Sequence, residues 1–166
     1  MPCDDSLVAR ERFAIRPVKT SDLTTLVQHR RAMWENMGIK GKTQHAQADK
    51  VYREWAGKRL RDKSLLAWVV ENRAGNAVSS GCLWLQPRQP SPGNNQKFQP
   101  YLLSMYTMPE YRGKGMASKV VRAAVDWTKS HKYASLRLHA SEMGRGVYKN
   151  QGFTRTWEMR LNMTKH

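Results

Sequence analysis

The stretch YTMPEYRGKGMASKVV, Tyr106 to Val121, joins an apolar run to a helical pattern through a short loop holding Arg112, Gly113, Lys114 and Gly115. Two readings fit these residues. In one, the glycines give backbone freedom to a tight strand-to-helix turn and the cations are solvated. In the other, the loop is an anion cradle: glycines let a phosphate approach the backbone, the free N–H groups of the helix's first turn point at it, and the cations add charge. Further along, SEMGRGVYKNQGF sets a hydroxyl, Ser141, and a phenol, Tyr148, behind His139, whose imidazole type titrates near neutrality. Glu35 and Glu158 are carboxylates that could bind a cationic amine or steer a water, or be ordinary surface charges; Glu110 reads as solvated.

These groups need elements to hold them. RFAIRPV (Arg12 to Val18) alternates apolar and polar positions and stops at a proline, which predicts a first strand. Ser21 is read as the cap of a helix in which Leu23, Leu26, Val27, Arg30, Trp34 and Met37 fall at helical spacing, ended by Gly38. A second, basic helix is expected over Gln47 to Lys63. LLAWVVEN and AVSSGCLWLQ, separated by a turn containing Gly75, predict a hairpin. Pro87 to Pro100 reads as a long surface loop, and YLLSMYTM as the strand that feeds the glycine loop. The helix after that loop carries an apolar stripe of Met116, Val120, Ala124 and Trp127. SLRLHA predicts a strand, GRGVYKNQG a short helix, and FTRT with WEMRLNM two closing strands. The order implies an α/β domain, one mixed sheet covered by helices.

Composition bounds the function. At 166 residues the chain is read as a single domain over residues 1–166, with 1–11 expected to be flexible. Cys3 and Cys82 make no disulfide framework, and no 18-residue apolar run or leader-like N-terminus occurs, so the expectation is a cytoplasmic protein with no membrane association. The 29 Lys and Arg against 13 acids give +16, a field that draws polyanions such as nucleic acid or a phosphate-rich cofactor. Nucleic acid is not favoured, since neither a recognition motif nor a cluster of stacking aromatics accompanies the charge. Metal-ligand spacing is not found either.

Among phosphate-binding patterns, no P-loop is present, and Gly113, Gly115 and Ser118 supply only two glycines of a dinucleotide fingerprint. RGKGMA, Arg112 to Ala117, satisfies [QR]-x-x-G-x-[GA] after a strand and before a helix, and resembles the acetyl-CoA loop of the GNAT N-acetyltransferase superfamily. The family's second signature is similar to Ser141, Gly144, Tyr148, Gly152 and Phe153. With the strand order, the resemblance covers nearly the whole chain.

The resemblance implies a GNAT fold, a single mixed, mostly antiparallel sheet with helices on both faces, and transfer of acetyl from acetyl-CoA to a primary amine of a small molecule or peptide by direct attack in a ternary complex. It places backbone groups of Met105, Tyr106 and Thr107 on the pantetheine arm and the acetyl oxygen. The pyrophosphate falls on Gly113, Lys114, Gly115, Met116, Ala117 and Ser118, flanked by Arg112. Ser141 stands where relatives often carry Asn and would bond a pantetheine amide. Tyr148 matches the general acid for the departing thiolate, a phenol near pKa 10 facing a thiol near 8.5. Where some relatives carry a basic Glu this chain has Pro100, which leaves His139 as the candidate base. Trp34, Glu35 and Glu158 are the candidate substrate residues. Three further possibilities stay open at this level: an acyl-CoA-binding scaffold or sensor with little catalysis, a nucleic-acid-associated basic protein, and either a monomer or a homodimer.

Overall fold

Strand Leu65–Glu71 (β2) is buried along most of its length because both of its faces are covered. Leu65 and Ala67 point into one apolar cluster and Trp68 and Val70 into another, the period of two expected of a strand between two layers. The computed structural model describes residues 12–163, so the expectation for 1–11 lies outside the described residues. Around β2 the chain builds a five-stranded sheet in the order β1-β2-β3-β4-β5, with β1 Ala14–Pro17, β3 Ala77–Pro87, β4 Phe98–Thr107 and β5 Arg137–Leu138. The pairs are antiparallel except β4 with β5, which is parallel. The sheet is therefore mixed and mostly antiparallel, as expected.

Helices α1 (Leu23–Asn36) and α2 (Lys42–Arg61) bury Leu26, Val27, Tyr52 and Ala56 with Cys82 on one face. Helix α3 (Met116–Ser130) buries Met116, Val120, Val121 and Ala124 with Leu83 and Leu102 on the other. Each fully buried aliphatic chain contributes roughly 1.5–3 kcal/mol. A short α4 (Arg145–Asn150) follows β5. Arg16 ties the first strand to both neighbours, bonding Asp22 at 2.8 Å and Glu71 at 2.7 Å, and it holds the Asp22 carboxyl below the usual carboxylate range.

Several expectations change. Helix α2 starts earlier than the spacing suggests, at Lys42, where His45 is buried with Nε2 bonded to the Ile39 carbonyl at 2.6 Å. Ser21 lies in a 3-10 turn, Thr20–Asp22, and α1 begins after it. The segment read as a loop from Pro87 to Pro100 is partly strand: Pro87 pairs with Phe98, Gln86 with Gln99 and Leu85 with Pro100. Gln99 is tolerated there because its amide donates to the Ser135 carbonyl at 2.8 Å. The closing strands do not form. SLRLHA pairs only at Arg137–Leu138, and residues 154–163 have no strand pairing, leaving Trp157 and Met159 94% and 93% exposed. Alternation alone does not make a strand without an edge to receive it.

The sheet departs from regularity at one place that matters. Between Ser80/Cys82 on β3 and Leu103/Tyr106 on β4 the register shifts, with Ser104 held at φ +52°. Beneath this bulge, a Cβ placed on Gly81 would lie 2.3 Å from Met105 Sδ and 2.7 Å from Val120 Cγ1. Glycine is required there by contact rather than by φ. We expect Gly81→Ala to cost about 1–3 kcal/mol through overpacking between β3, β4 and α3. Urea unfolding checks this; an unchanged midpoint would show that Met105 moves aside freely.

Candidate functional site

Between β4 and α3 the chain passes through a 3-10 turn, Pro109–Tyr111, and then the glycine loop. Gly113 has φ +73° and Gly115 φ +82°, and a Cβ built on either meets nothing within 4 Å. Backbone conformation selects glycine at both, and the space beside them is open. Gly115 caps α3, whose first N–H groups have no partner within the helix. The side chain of Met116 is in the core, only 2% exposed, so it anchors the helix while its N–H belongs to the first turn. Ala117 and Ser118 complete that turn. Arg112 donates from Nε to the Thr107 carbonyl at 3.0 Å, which folds the loop back on the strand it leaves. Lys114 rests instead over the Tyr111 ring, 5.3 Å from its centroid, and does not line the cleft described below.

Strand β4 is open on one side. Its pairing with β5 is confined to Tyr101 and Leu102, while the Met108 N–H still reaches the Val78 carbonyl of β3 at 2.9 Å. By alternation, the backbone groups of Met105 and Thr107 turn away from β3 toward the side that β5 has left. Below them, Ser79 Oγ lies 2.8 Å from the Tyr106 carbonyl and 2.8 Å from Thr107 Oγ1. His29 Nδ1 meets Ser80 Oγ at 2.8 Å, and burial lowers its pKa, which favours the neutral ring.

The third component is the turn into α4. A Cβ on Gly144 would fall 2.9 Å from Tyr148 Cε2, so glycine there lets the Tyr148 ring fold over the turn. Ser141 Oγ accepts the Gly144 N–H at 3.2 Å, and Phe153 packs edge-on to Tyr148 with centroids 5.9 Å apart. Burial alone pushes the Tyr148 phenol up to about 12, so it stays protonated and is a donor at physiological pH. Cys82, buried beneath the sheet, has its thiol pushed up to about 11 and offers no nucleophile.

A cleft of about 1600 Å³ brings these pieces together: the Met105–Thr107 segment, Arg112, Gly113, Gly115–Ser118, His139, Ser141 and Tyr148, with Trp34 from α1. Glu35 is not among its walls. It is exposed, since neighbouring helix positions point roughly 100° apart. Glu158 lies on the exposed 154–163 stretch, outside the lining, although its charge adds to the burial that raises the Tyr101 phenol at the cleft wall. The sequence reading missed Arg30 and Tyr52, which line the cleft from α1 and α2, and the bulge at Ser104. Gly81 in the middle of an apolar strand was the available signal for the bulge. Among the described residues no three metal-ligating side chains cluster, and no helix is long and apolar enough to cross a membrane.

Residues 25–153 match the sequence profile of the Acetyltransferase (GNAT) family. The chain belongs to the GNAT acetyltransferase family. Solved structures agree with that membership. A GCN5-related N-acetyltransferase from Ralstonia eutropha is 28% identical with a TM-score of 0.82, over 92% of this chain and 99% of that one. A predicted acetyltransferase from Clostridium acetobutylicum, solved with acetyl-CoA, is 26% identical with a TM-score of 0.82, over 92% and 97%. An aminoglycoside antibiotic 6'-N-acetyltransferase from Acinetobacter baumannii, 16% identical with a TM-score of 0.69 over 93% and 99%, shares the fold. No curated protein matches the sequence significantly.

In this GNAT chain Gly144→Ala is expected to destabilise by about 1–3 kcal/mol, because the Tyr148 ring must leave its seat. Chemical denaturation reads the loss; stability equal to wild type would mean that the ring is not held by this contact.

Proposed function

We propose that the protein is an N-acetyltransferase that moves acetyl from acetyl-CoA to a primary amine by direct attack in a ternary complex. One domain spanning the chain does this work, and the buried free thiol of Cys82 suits the reducing cytoplasm. The observation that carries this reading is the meeting, in one cleft, of a glycine cradle at a helix N-terminus, an open strand edge and a protonated tyrosine.

The cradle fits a phosphate-bearing group. The space beside Gly113 and Gly115 would be filled by any side chain, and the N–H groups of Gly113 to Ser118 are the donors for a pyrophosphate. Arg112 adds charge from within the cleft and Lys114 from its rim. When bound, the cosubstrate supplies an acetyl thioester. The outward backbone groups of Met105 and Thr107 hold its amide-bearing arm as an added strand would, Tyr106 is the link between them, and Ser141 bonds a further amide. A β4 N–H in this segment stabilises negative charge developing on the acetyl oxygen. His139, exposed at the cleft wall, takes a proton from the amine directly or through water. Tyr148 donates to the departing sulfur. Its raised pKa makes hydrogen bonding to the developing thiolate its work, and the thiolate leaves hydrogen-bonded to the phenol rather than protonated by it.

Saturating acetyl-CoA should raise the unfolding temperature; at a hundred times its dissociation constant the gain is about 2.7 kcal/mol. Gly115→Val should abolish that gain. The gain is measured against each protein's own unliganded midpoint, so backbone strain at φ +82° cancels. Absence of any shift in the wild type overturns the cosubstrate assignment, and a full shift in the variant moves the cradle elsewhere.

Tyr148→Phe should leave acetyl-CoA binding nearly unchanged and lower turnover by about 10²-fold or more, read as CoA release with an accepted amine. Unchanged turnover would make Tyr148 structural. Tight CoA binding with no transfer to any amine would favour a binding protein without catalysis.

A further inference from the structure

The wall that α1, α2 and the turn after α1 give to the cleft is largely apolar and aromatic, with Met33, Trp34, Met37 and Trp55 among its residues. The amides of Asn36, Gln44 and Gln47 supply its neutral polar groups. One charge sits in this wall. The Arg30 guanidinium carbon lies 4.4 Å from the Tyr52 ring centroid and 5.6 Å from that of Trp34. In the ion pairs of the described residues, Asp49 on α2 pairs with Arg31, and Asp22 and Glu71 pair with Arg16. None of the ion pairs among the described residues includes Arg30. The lining holds a single described carboxylate, Glu142, and it lies in the turn before α4 beside Ser141, away from α1 and α2 in the chain.

A guanidinium whose face is taken by rings keeps its N–H edge for a planar anion, and the rings pre-position it so that little freedom is lost on binding. This cation would repel an acceptor carrying several ammonium groups, as would the +16 charge of the chain. It also favours the neutral form of a nearby amine, the form that attacks a thioester.

We propose that the acceptor is an amino acid with an apolar side chain, its carboxylate held by Arg30 and its side chain against Trp34 and Met33. The proposal rests on the acetyltransferase reading and names the substrate class of the same cleft. The chemical step is the one already given: the amine nitrogen forms the bond to the acetyl carbon, the carbon–sulfur bond breaks, and the amine's proton leaves through His139 or water.

The test separates the two levels. On the CoA-loaded protein, the binding of N-acetyl-L-phenylalanine, its amide and N-acetylphenethylamine is compared by calorimetry. CoA release is followed in parallel with L-phenylalanine, L-phenylalaninamide, phenethylamine and spermidine. The acid should bind about tenfold to a hundredfold tighter than the two ligands lacking the carboxylate. Arg30→Gln should erase that preference, while Arg30→Lys keeps part of it; an intact acetyl-CoA thermal shift shows that each variant is folded. No preference for the acid in the wild type, whether all three bind or none does, overturns the proposal. Faster transfer to spermidine or to the amide than to the acid overturns it too, the amide arm reporting a peptide amino terminus. In both cases CoA release from any amine leaves the acetyltransferase reading standing. A preference that survives in Arg30→Gln assigns the carboxylate to another group and removes Arg30 from the site.

Discussion

The molecule turns on the place where β4 loses its second neighbour. At Tyr101 and Leu102 the strand is paired on both sides; beyond them β5 is gone and the backbone groups on that side have nothing in the sheet to pair with. An unpaired peptide group away from water costs about as much as a lost hydrogen bond, so such an edge must face solvent or a ligand. The cleft is the consequence. Everything nearby serves to keep β4 in place while one edge is open: the bulge at Ser104, the side chain of Met105 under Gly81, and the hydroxyl of Ser79 against Tyr106 and Thr107.

The two helical layers have different tasks. Helix α3 is fixed by an apolar stripe that runs into β2, β3 and β4, and the same packing aims its first N–H groups into the cleft. A helix held this firmly can keep its positive end uncapped by protein, ready for an anion. Helices α1 and α2 bury a smaller set and turn part of their aromatic surface to the cleft. In the proposed function, anion recognition thus falls to backbone set by a rigid core, and acceptor recognition to side chains. Side chains diverge more easily than a backbone cradle, which suits a fold that meets one cosubstrate and many acceptors.

The legible features are the local ones. RGKGMA and the Ser141-to-Phe153 stretch read correctly as elements because turn, cap and helix all depend on neighbours within a few residues. The β2–β3 hairpin was legible for the same reason. What failed depends on distant partners. The alternation of Trp157, Met159, Leu161 and Met163 is real, but a strand requires an edge, and β5 provides two paired positions. Arg30 was placed on the right helical stripe, yet its role follows from Tyr52 on another helix, which no local pattern announces. Glu35 looked suitable by type and by nearness to Trp34 along the chain; the helix rotates it out of the cleft.

The exposed stretch before the C-terminus bears on how copies of the protein behave in solution. Leu161 and Met163 are 81% and 84% exposed and lie in the same stretch as the exposed Trp157 and Met159, among backbone groups with no ladder partner. A run of exposed apolar side chains is adhesive toward its own kind. Arg155, Glu158 and Arg160 interrupt it as charged gatekeepers, and the +16 charge holds whole molecules apart. That repulsion reaches only about 10 Å in 0.1 M salt and less as salt rises. Colloidal stability is therefore an electrostatic property of this chain, greatest in dilute buffer and declining with ionic strength, even where the fold itself is unaffected.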